Sequence, residues 1–241
     1  MLKHPGLNMN GFDLAISSFI NGFAHRSIRL DEFVIFVSRI NLLKGGVIIG
    51  LIWWLWFQDG GVREKREALL AAMIASFPAL AVARILSWVF FRPRPLNEAQ
   101  FLLRVPYGAS AAEWEGFSSF PSDHAVLFFA LATGIFFASR RVGRFAFLYV
   151  SIVICLPRLF IGEHYTTDIL AGAAIGISMS WLANLPAIRK ALTSWVLRWL
   201  DARPGPFYCL SFILTYQMAE LFDPVLKMLK VTRSIIHGKL F

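Results

Sequence analysis

The sequence is poor in charged residues and in cysteine, and these shortages exclude several classes of protein. Only 16% of its 241 residues are charged, whereas 57% are hydrophobic and the mean hydropathy is +0.59. A soluble domain needs about 25% charged residues to cover its surface, so the composition excludes intrinsic disorder and argues against a water-soluble globule. The two cysteines, Cys155 and Cys209, lie inside apolar stretches. They indicate neither a disulfide framework nor a metal site.

The net charge of +9 is explained by a membrane rather than by a nucleic acid. Most Lys and Arg residues lie in short hydrophilic breaks between apolar runs, where orientation signals and anionic lipid headgroups account for them. The sequence has no basic helix with interleaved aromatic residues outside those runs. It therefore predicts the lipid bilayer as a partner and no nucleic acid, and it indicates no particular oligomeric state.

The apolar runs predict an all-α fold, a polytopic transmembrane helical bundle of about six spans, at roughly 20 residues per crossing. Beginning with a short amphipathic stretch, the runs lie at about 11–24, 32–57, 68–91, 122–139, 145–161 and 166–185. A basic amphipathic stretch at 187–203 is typical of a helix lying in the membrane interface. The apolar segment 207–222 contains Gln217 and Glu220, and whether it crosses is left open.

These segments divide the chain into three parts. Residues 1–30 form an N-terminal amphipathic or short membrane segment, and residues 31–185 form the membrane core. Residues 186–241 hold the interfacial helix, the apolar segment and a basic tail that contains Lys227, Lys230, Arg233 and Lys239.

The distribution of basic residues predicts the orientation of the spans. Three clusters follow alternate segments, and they are Arg63 with Lys65 and Arg66, Arg140 with Arg141 and Arg144, and Arg189 with Lys190. Alternation places all three on one side, which the positive-inside tendency identifies as the cytoplasm. The opposite face then carries the long polar break 92–120 and the short turn near 158–165.

Five ionisable residues from separate segments are predicted to meet at that opposite face. Arg94 follows the third segment, His124 opens the fourth, Arg158 closes the fifth, and His164 and Asp168 open the sixth. Taken one at a time, each has an ordinary interpretation as a helix end, a helix cap or a local pair. Together they are a hypothesis for a functional site, because ionisable groups at membrane depth cost about 2.5–3.5 kcal/mol each.

The residue types in this cluster suit phosphoryl transfer without a metal. Guanidinium groups hold phosphate oxygens and neutralise charge that develops in the transition state. One imidazole attacks phosphorus beside a carboxylate that stabilises its charged form, and a second imidazole protonates the departing oxygen. The backbone N–H groups that open the fourth segment add an anion site at a helix N-terminus.

The order Arg-Pro, Pro-Ser-x-His and Arg-x5-His-x3-Asp resembles the type 2 phosphatidic acid phosphatase (PAP2) superfamily of membrane lipid phosphatases. The resemblance covers roughly residues 31–185. It implies that His164 is the nucleophile that forms a phosphohistidine, Asp168 its orienting partner and His124 the general acid. It also implies no metal, no cofactor and a site that faces away from the cytoplasm. The phosphoryl group would be bound by Arg94, Arg158, Ser122 and the backbone around Asp123.

Three residues depart from the family pattern. The Lys expected seven residues before Arg94 is Ser87, the usual Gly of Pro-Ser-Gly-His is Asp123, and the usual Ser before Arg158 is Pro157. The missing Lys and the phrase Ser-Phe-Pro-Ser-Asp-His resemble the bacitracin-resistance subgroup of bacterial undecaprenyl-diphosphate phosphatases. Candidate residues for the missing positive charge are Arg39, Lys44 and Arg84, with snorkelling to the interface as the alternative for each. These three and Arg92 are the candidates for further substrate binding.

The resemblance implies a phosphatase of the bacterial plasma membrane, multi-pass, with its site on the periplasmic side. The favoured substrate is undecaprenyl diphosphate, hydrolysed to the monophosphate carrier and inorganic phosphate. Within the enzyme class, the alternatives are phosphatidylglycerophosphate, phosphatidate and lipid A phosphate. Outside it, the alternative is a non-enzymatic transporter or binder of lipid phosphates, which would need the arginines but neither histidine.

Overall fold

The structure is a computed structural model that describes residues 10–98, 103–110 and 116–222, and this part of the chain contains helices and no strand. The basic tail predicted beyond residue 222 lies outside the described residues. In chain order the helices are α1 (Gly11–Asn21), α2 (Ile28–Arg39), α3 (Val47–Phe57), α4 (Val62–Val89), α5 (Asp123–Ala138), α6 (Arg140–Tyr149), α7 (Leu156–Ile161), α8 (Thr166–Ala183), α9 (Pro186–Ala202) and α10 (Pro204–Ala219). Two π-helical turns, Leu42–Gly46 and Val150–Cys155, lie before α3 and between α6 and α7.

Three helical stretches among the described residues are long and apolar enough to cross a membrane, and a fourth candidate is a bent pair. The three are α4, the continuous stretch Arg140–Ile161 and α8, and the bent pair joins α2 to Leu42–Phe57. The predicted count of about six spans is not confirmed. Helix α5 is apolar, but its 16 residues rise only about 24 Å, less than the roughly 30 Å of a hydrocarbon core.

The second apolar run, predicted as one segment, is broken in the middle. Helix α2 ends at Arg39, and the axis then turns by 62° into the helix that begins at Leu42. A π-helical turn follows the break, and a Cβ atom on its Gly45 would lie 2.3 Å from the Cα atom of Ala219 in α10. Glycine at this position therefore lets α10 approach the backbone of the break, which a continuous sequence pattern does not reveal.

Helix α5 is the centre of the bundle and packs between α4 and α8. A Cβ atom on Gly134 would lie 2.2 Å from the Cβ atom of Ala72 in α4. Cβ atoms on Gly172 and Gly176 of α8 would lie 2.6 Å and 2.2 Å from the carbonyl oxygens of Ser122 and Val126. These small residues bring the backbones together, so the first turns of α5 and α8 lie side by side.

Helix α1 is amphipathic with its polar face towards the protein. Asp13, Ser17 and Asn21 share one face at four-residue spacing and are each at most 3% exposed, whereas Phe12 and Phe19 are 52% and 71% exposed. An apolar outer face suits contact with lipid. This helix therefore lies against α7 and α8 with its polar side inward.

Two buried polar residues attach α1 and α2 to the loop 103–110. The Asn21 side chain donates to the carbonyl of Arg104 (2.9 Å) and accepts from its backbone N–H (2.8 Å). The Asp31 carboxylate accepts from the backbone N–H groups of His25 (3.1 Å) and Tyr107 (3.0 Å). The loop is thus held by side chains from the N-terminal helices.

The C-terminal helices pack along α3. The predicted interfacial stretch is α9, and the apolar segment left open by the sequence is α10. The indole N–H groups of Trp53 and Trp56 donate to Thr215 Oγ1 (3.2 Å) and Tyr208 Oη (3.3 Å) of α10. At 16 residues, α10 is shorter than the roughly 20 residues of a crossing.

Candidate active site

Two of the predicted site residues, Arg158 and His124, are in direct contact. Arg158 lies in α7 and is 4% exposed, and its Nη2 atom lies 2.9 Å from Nε2 of His124 in the first turn of α5. A guanidinium can only donate, so Nε2 of His124 accepts and the proton of the neutral ring is on Nδ1. A cation and an imidazole therefore meet at the N-terminus of α5.

Arg94 and His164 lie next to this pair. Arg94, in the loop after α4, donates from Nη1 to the carbonyl of Glu163 (3.2 Å), the residue before His164. Helix α7 ends at Ile161, and the next residue, Gly162, has a φ of +85° that turns the chain back. This turn places His164 between α7 and α8, where it is 4% exposed.

The geometry of His164 identifies its nucleophilic atom. Nδ1 lies 2.8 Å from the carbonyl oxygen of Ser119, and because a carbonyl only accepts, Nδ1 carries the ring proton. The lone pair of the neutral ring is then on Nε2. Burial lowers the pKa of His164 below its ordinary value of 6.5, against the opposing attraction of Asp168. The imidazole is therefore neutral and able to attack at neutral pH.

Asp168 lies further from His164 than an orienting hydrogen bond requires. Its Oδ2 atom is 3.8 Å from Nδ1 of His164 and accepts instead from the backbone N–H of Tyr165 (2.8 Å), which caps α8. Its Oδ1 atom accepts from Arg92 (2.7 Å). In this geometry the Ser119 carbonyl orients the ring, and Asp168 acts on it as a nearby negative charge.

Glu163 belongs to the site, although the sequence pattern did not single it out. It is 5% exposed, and its carboxylate pairs with Nη1 of Arg158, which leaves Nη2 for His124. The sequence could have pointed to Glu163 only through its position one residue before the predicted nucleophile His164. The pair holds Arg158 in place and lowers the net positive charge of the site.

Several buried polar side-chain atoms among the described residues have no hydrogen-bond partner, and two of them lie at the site. They are Oγ of Ser122 and Nε of Arg158. Buried polar atoms are nearly always satisfied, and phosphate oxygens would satisfy both of these. The predicted phosphate-binding role of the two residues thus fits their surroundings, together with the backbone N–H groups that open α5.

Arg92 does not face this group but is enclosed in a buried ionic cluster. Its guanidinium donates to Asp168 Oδ1 (2.7 Å), Asp13 Oδ2 (2.7 Å) and Thr167 Oγ1 (2.8 Å) and lies 3.7 Å from the ring centroid of Tyr165. Two carboxylates and a hydroxyl already engage it. We therefore assign Arg92 to the scaffold rather than to substrate binding, and Asp13, which the sequence did not single out, to the same scaffold.

Replacing Asp13 with asparagine should destabilise the protein strongly. The change removes one charge of a fully buried ion pair and leaves Arg92 with a single carboxylate, a loss of about 3–5 kcal/mol. The measurement is the free energy of unfolding in detergent. The control is Asp201→Asn, because the Asp201–Arg63 pair is 65% and 60% exposed and should contribute less than about 1 kcal/mol. Equal losses in the two variants would contradict the assignment.

The remaining candidate cations lie around the site. Arg39 lines a small cavity that Glu163 also lines, and Lys44, on the π-helical turn before α3, interacts electrostatically with His124. Nη2 of Arg84 lies 2.6 Å from Oδ2 of Asp123. Each therefore has a neighbour in the site, and their roles stay predictions.

The described residues contain no group of three or more His, Cys, Asp or Glu side chains arranged to hold a metal ion. Nε2 of His124 contacts Arg158, and Nδ1 of His164 contacts the backbone carbonyl of Ser119. The expectation of metal-free chemistry stays a prediction.

The sequence model of the PAP2 superfamily matches residues 67–190, which is just over half of the chain. The chain belongs to the PAP2 superfamily. The matched region begins in α4 and ends in α9, so it contains every residue of the predicted motifs. Helices α1 to α3, with Asp13, Arg39 and Lys44, lie outside the PAP2 match.

Relatives in the PAP2 superfamily act on lipid phosphates. The undecaprenyl-diphosphatase BcrC of Bacillus subtilis is 25% identical over 163 residues, which cover 68% of this chain and 78% of BcrC. The lipid A 1-phosphatase of Rhizobium etli is 31% identical over 137 residues, which cover 52% of this chain and 54% of that protein. The crystal structure of LpxE from Aquifex aeolicus has a TM-score of 0.52 and 22% identity and covers 76% of this chain and 98% of that chain, a likeness of fold.

Proposed function

We propose that the protein hydrolyses undecaprenyl diphosphate to undecaprenyl phosphate and inorganic phosphate through a phosphohistidine, without a metal. One observation carries the proposal of phosphatase chemistry. Two imidazoles and two largely buried guanidinium groups converge from four separate parts of the chain, and His124 is in contact with Arg158.

In the first step Nε2 of His164 attacks the terminal phosphorus. A bond forms between nitrogen and phosphorus, and the bond from phosphorus to the bridging oxygen breaks. The electron pair stays on the bridging oxygen, which leaves as part of the lipid monophosphate. His124 enters this step as the imidazolium, with a second proton on Nε2 once the bound phosphate has replaced that nitrogen as the partner of Arg158, and it donates this proton to the departing oxygen and becomes neutral. Arg94 and Arg158 neutralise charge on the transferring phosphoryl group.

In the second step water attacks the phosphohistidine. His124 accepts a proton from that water, the nitrogen–phosphorus bond breaks, and the electron pair returns to Nε2 of His164. Inorganic phosphate is released and both imidazoles regain their starting states. Asp168, 3.8 Å from the ring, favours the positive charge that His164 carries in the intermediate.

The choice of a diphosphate substrate is supported by the similarity to BcrC, which extends over two thirds of the chain, and by Asp123 in the second motif. The alternative, a lipid A phosphatase, is supported by the relative with 31% identity over a shorter stretch. The predicted periplasmic orientation follows from the basic clusters, because the site lies at the opposite ends of the helices.

The test is a phosphate-release assay on purified protein with undecaprenyl diphosphate, phosphatidate, phosphatidylglycerophosphate and lipid A, each with EDTA and with Mg²⁺. We expect the highest kcat/KM for undecaprenyl diphosphate, unchanged by EDTA. A higher value for lipid A would favour the alternative, and a requirement for Mg²⁺ would contradict the mechanism. Binding of these lipids with no phosphate released from any of them would indicate a lipid-phosphate binder or transporter instead.

A further inference from the structure

An ion pair lies at the edge of the candidate active site and has no part in the mechanism above. It joins Nη2 of Arg84, in α4, to Oδ2 of Asp123, the first residue of α5, at 2.6 Å. The Arg84 side chain is 51% exposed and that of Asp123 is 18% exposed. The guanidinium therefore has one side against the protein and one side open.

The position of Arg84 is not explained by snorkelling. Arg84 lies five residues before the end of α4, which is about 7.5 Å along the axis, so its long side chain could reach the interface. Its guanidinium contacts Asp123 instead. The neighbouring Ile85 and Trp88 are 57% and 76% exposed, which places the ion pair on an apolar, outward-facing surface of the outer half of the bundle.

Asp123 connects this surface to the site. It directly precedes His124 and interacts electrostatically with Arg94, Arg158 and His164 as well as with Arg84. A carboxylate at this position repels a bound phosphate, and Arg84 offsets that repulsion. A charged side chain at membrane depth is costly and is by default a candidate functional residue, and about half of the Arg84 side chain stays exposed beside Asp123.

We propose that Arg84, held in place by Asp123, binds the second phosphate of a lipid diphosphate, the one attached to the lipid. With the terminal phosphate at His164 and Arg158, the second phosphate is one bridging oxygen away, on the side where the lipid chain must leave towards the bilayer. The remaining N–H groups of Arg84 are available to its oxygens. The proposal rests on the proposed phosphatase function and makes Arg84 the residue that favours diphosphates over monophosphates.

The experiment compares Arg84→Gln with wild type in detergent, using farnesyl diphosphate and farnesyl monophosphate, which have the same chain. We expect kcat/KM for the diphosphate to fall at least 10-fold and kcat/KM for the monophosphate to change less than 3-fold. The matched control is Arg63→Gln at the other end of α4, where Arg63 is 60% exposed and pairs with Asp201 at 3.8 Å. This control should leave both values unchanged.

Two further variants test the link to Asp123. Arg84→Lys keeps the charge and should recover part of the diphosphate activity. Asp123→Asn frees Arg84 and should also lower the preference for diphosphate, and the double variant with Arg84→Gln should show no greater loss of preference than Arg84→Gln alone. Equal losses on both substrates, or no loss on either, would overturn the proposal. Failure of the proposed function is distinguishable, because wild type would then release phosphate from neither substrate.

Discussion

Replacing His164 with alanine should lower phosphate release by roughly 10⁴- to 10⁶-fold, the loss seen when the nucleophile of a covalent mechanism is removed. The neutral imidazole is held by the Ser119 carbonyl with its lone pair on Nε2. Alanine offers no atom that can form the bond to phosphorus, and His124 is engaged by Arg158. The measurement is phosphate release together with the recovery of ³²P-labelled protein after quenching in alkali, where phosphohistidine survives.

The matched control for this change is His25→Asn. His25 stacks on Tyr107 with ring centroids 3.9 Å apart, away from the site, and its φ of +62° is one that asparagine tolerates. We expect His25→Asn to keep both activity and label. Phosphate release by His164→Ala above about 1% of wild type would be at least about two orders of magnitude more than the expected residual activity, and it would contradict the assignment. Label on another amino acid would contradict it as well.

Replacing His124 with alanine should have an effect that depends on the leaving group. Loss of a general acid lowers the rate of the chemical step about 10²–10⁴-fold, but only for a substrate whose departing oxygen needs a proton. We expect kcat/KM to fall by that amount for an alkyl phosphate and by less than about 10-fold for p-nitrophenyl phosphate. The measurement is kcat/KM for both substrates, since this constant reports the steps up to departure of the leaving group.

The second step gives the His124 variant an independent readout. Without a base for the attacking water, the phosphohistidine should accumulate, so kcat should fall for both substrates and labelled protein should increase. His124→Gln keeps an acceptor for Arg158 and serves as the control for a disturbed arginine. Equal losses of kcat/KM on the two substrates in both variants would indicate that His124 positions Arg158 and is not the acid.

Segments with a strong composition signal were predicted well. The apolar runs became α4, α5, the stretch from α6 to α7, and α8, with ends within two residues, except that α4 begins six and α6 five residues earlier. The motif residues are anchored at helix ends, where Pro, Ser and Gly limit the backbone. The prediction that Arg158 and His124 lie together therefore required only helix lengths and alternating direction.

The scaffold of the site was not predictable in the same way. Asp13 lies 79 residues from Arg92 in the chain, and nothing in a short amphipathic run shows that its polar stripe faces inward. The break after Arg39 lies next to Gly45, where α10 approaches the backbone, and a continuous apolar run gives no sign of either. The contact from Ser119 to His164 is made by a backbone carbonyl, which carries no sequence signal.

The amino-acid sequence by itself determined the membrane class, the superfamily motifs and the residue types that can transfer a phosphoryl group, because these depend on composition and on spacing within single segments. Only the tertiary structure decided which partners those residues have: the Ser119 carbonyl orients His164, Arg92 bridges Asp13 and Asp168, and Arg84 pairs with Asp123. The reason is physical. Hydrogen bonds and ion pairs are made over distances of about 3 Å between side chains and backbone atoms, and it is the close packing of α4, α5 and α8 that brings these distant groups into reach.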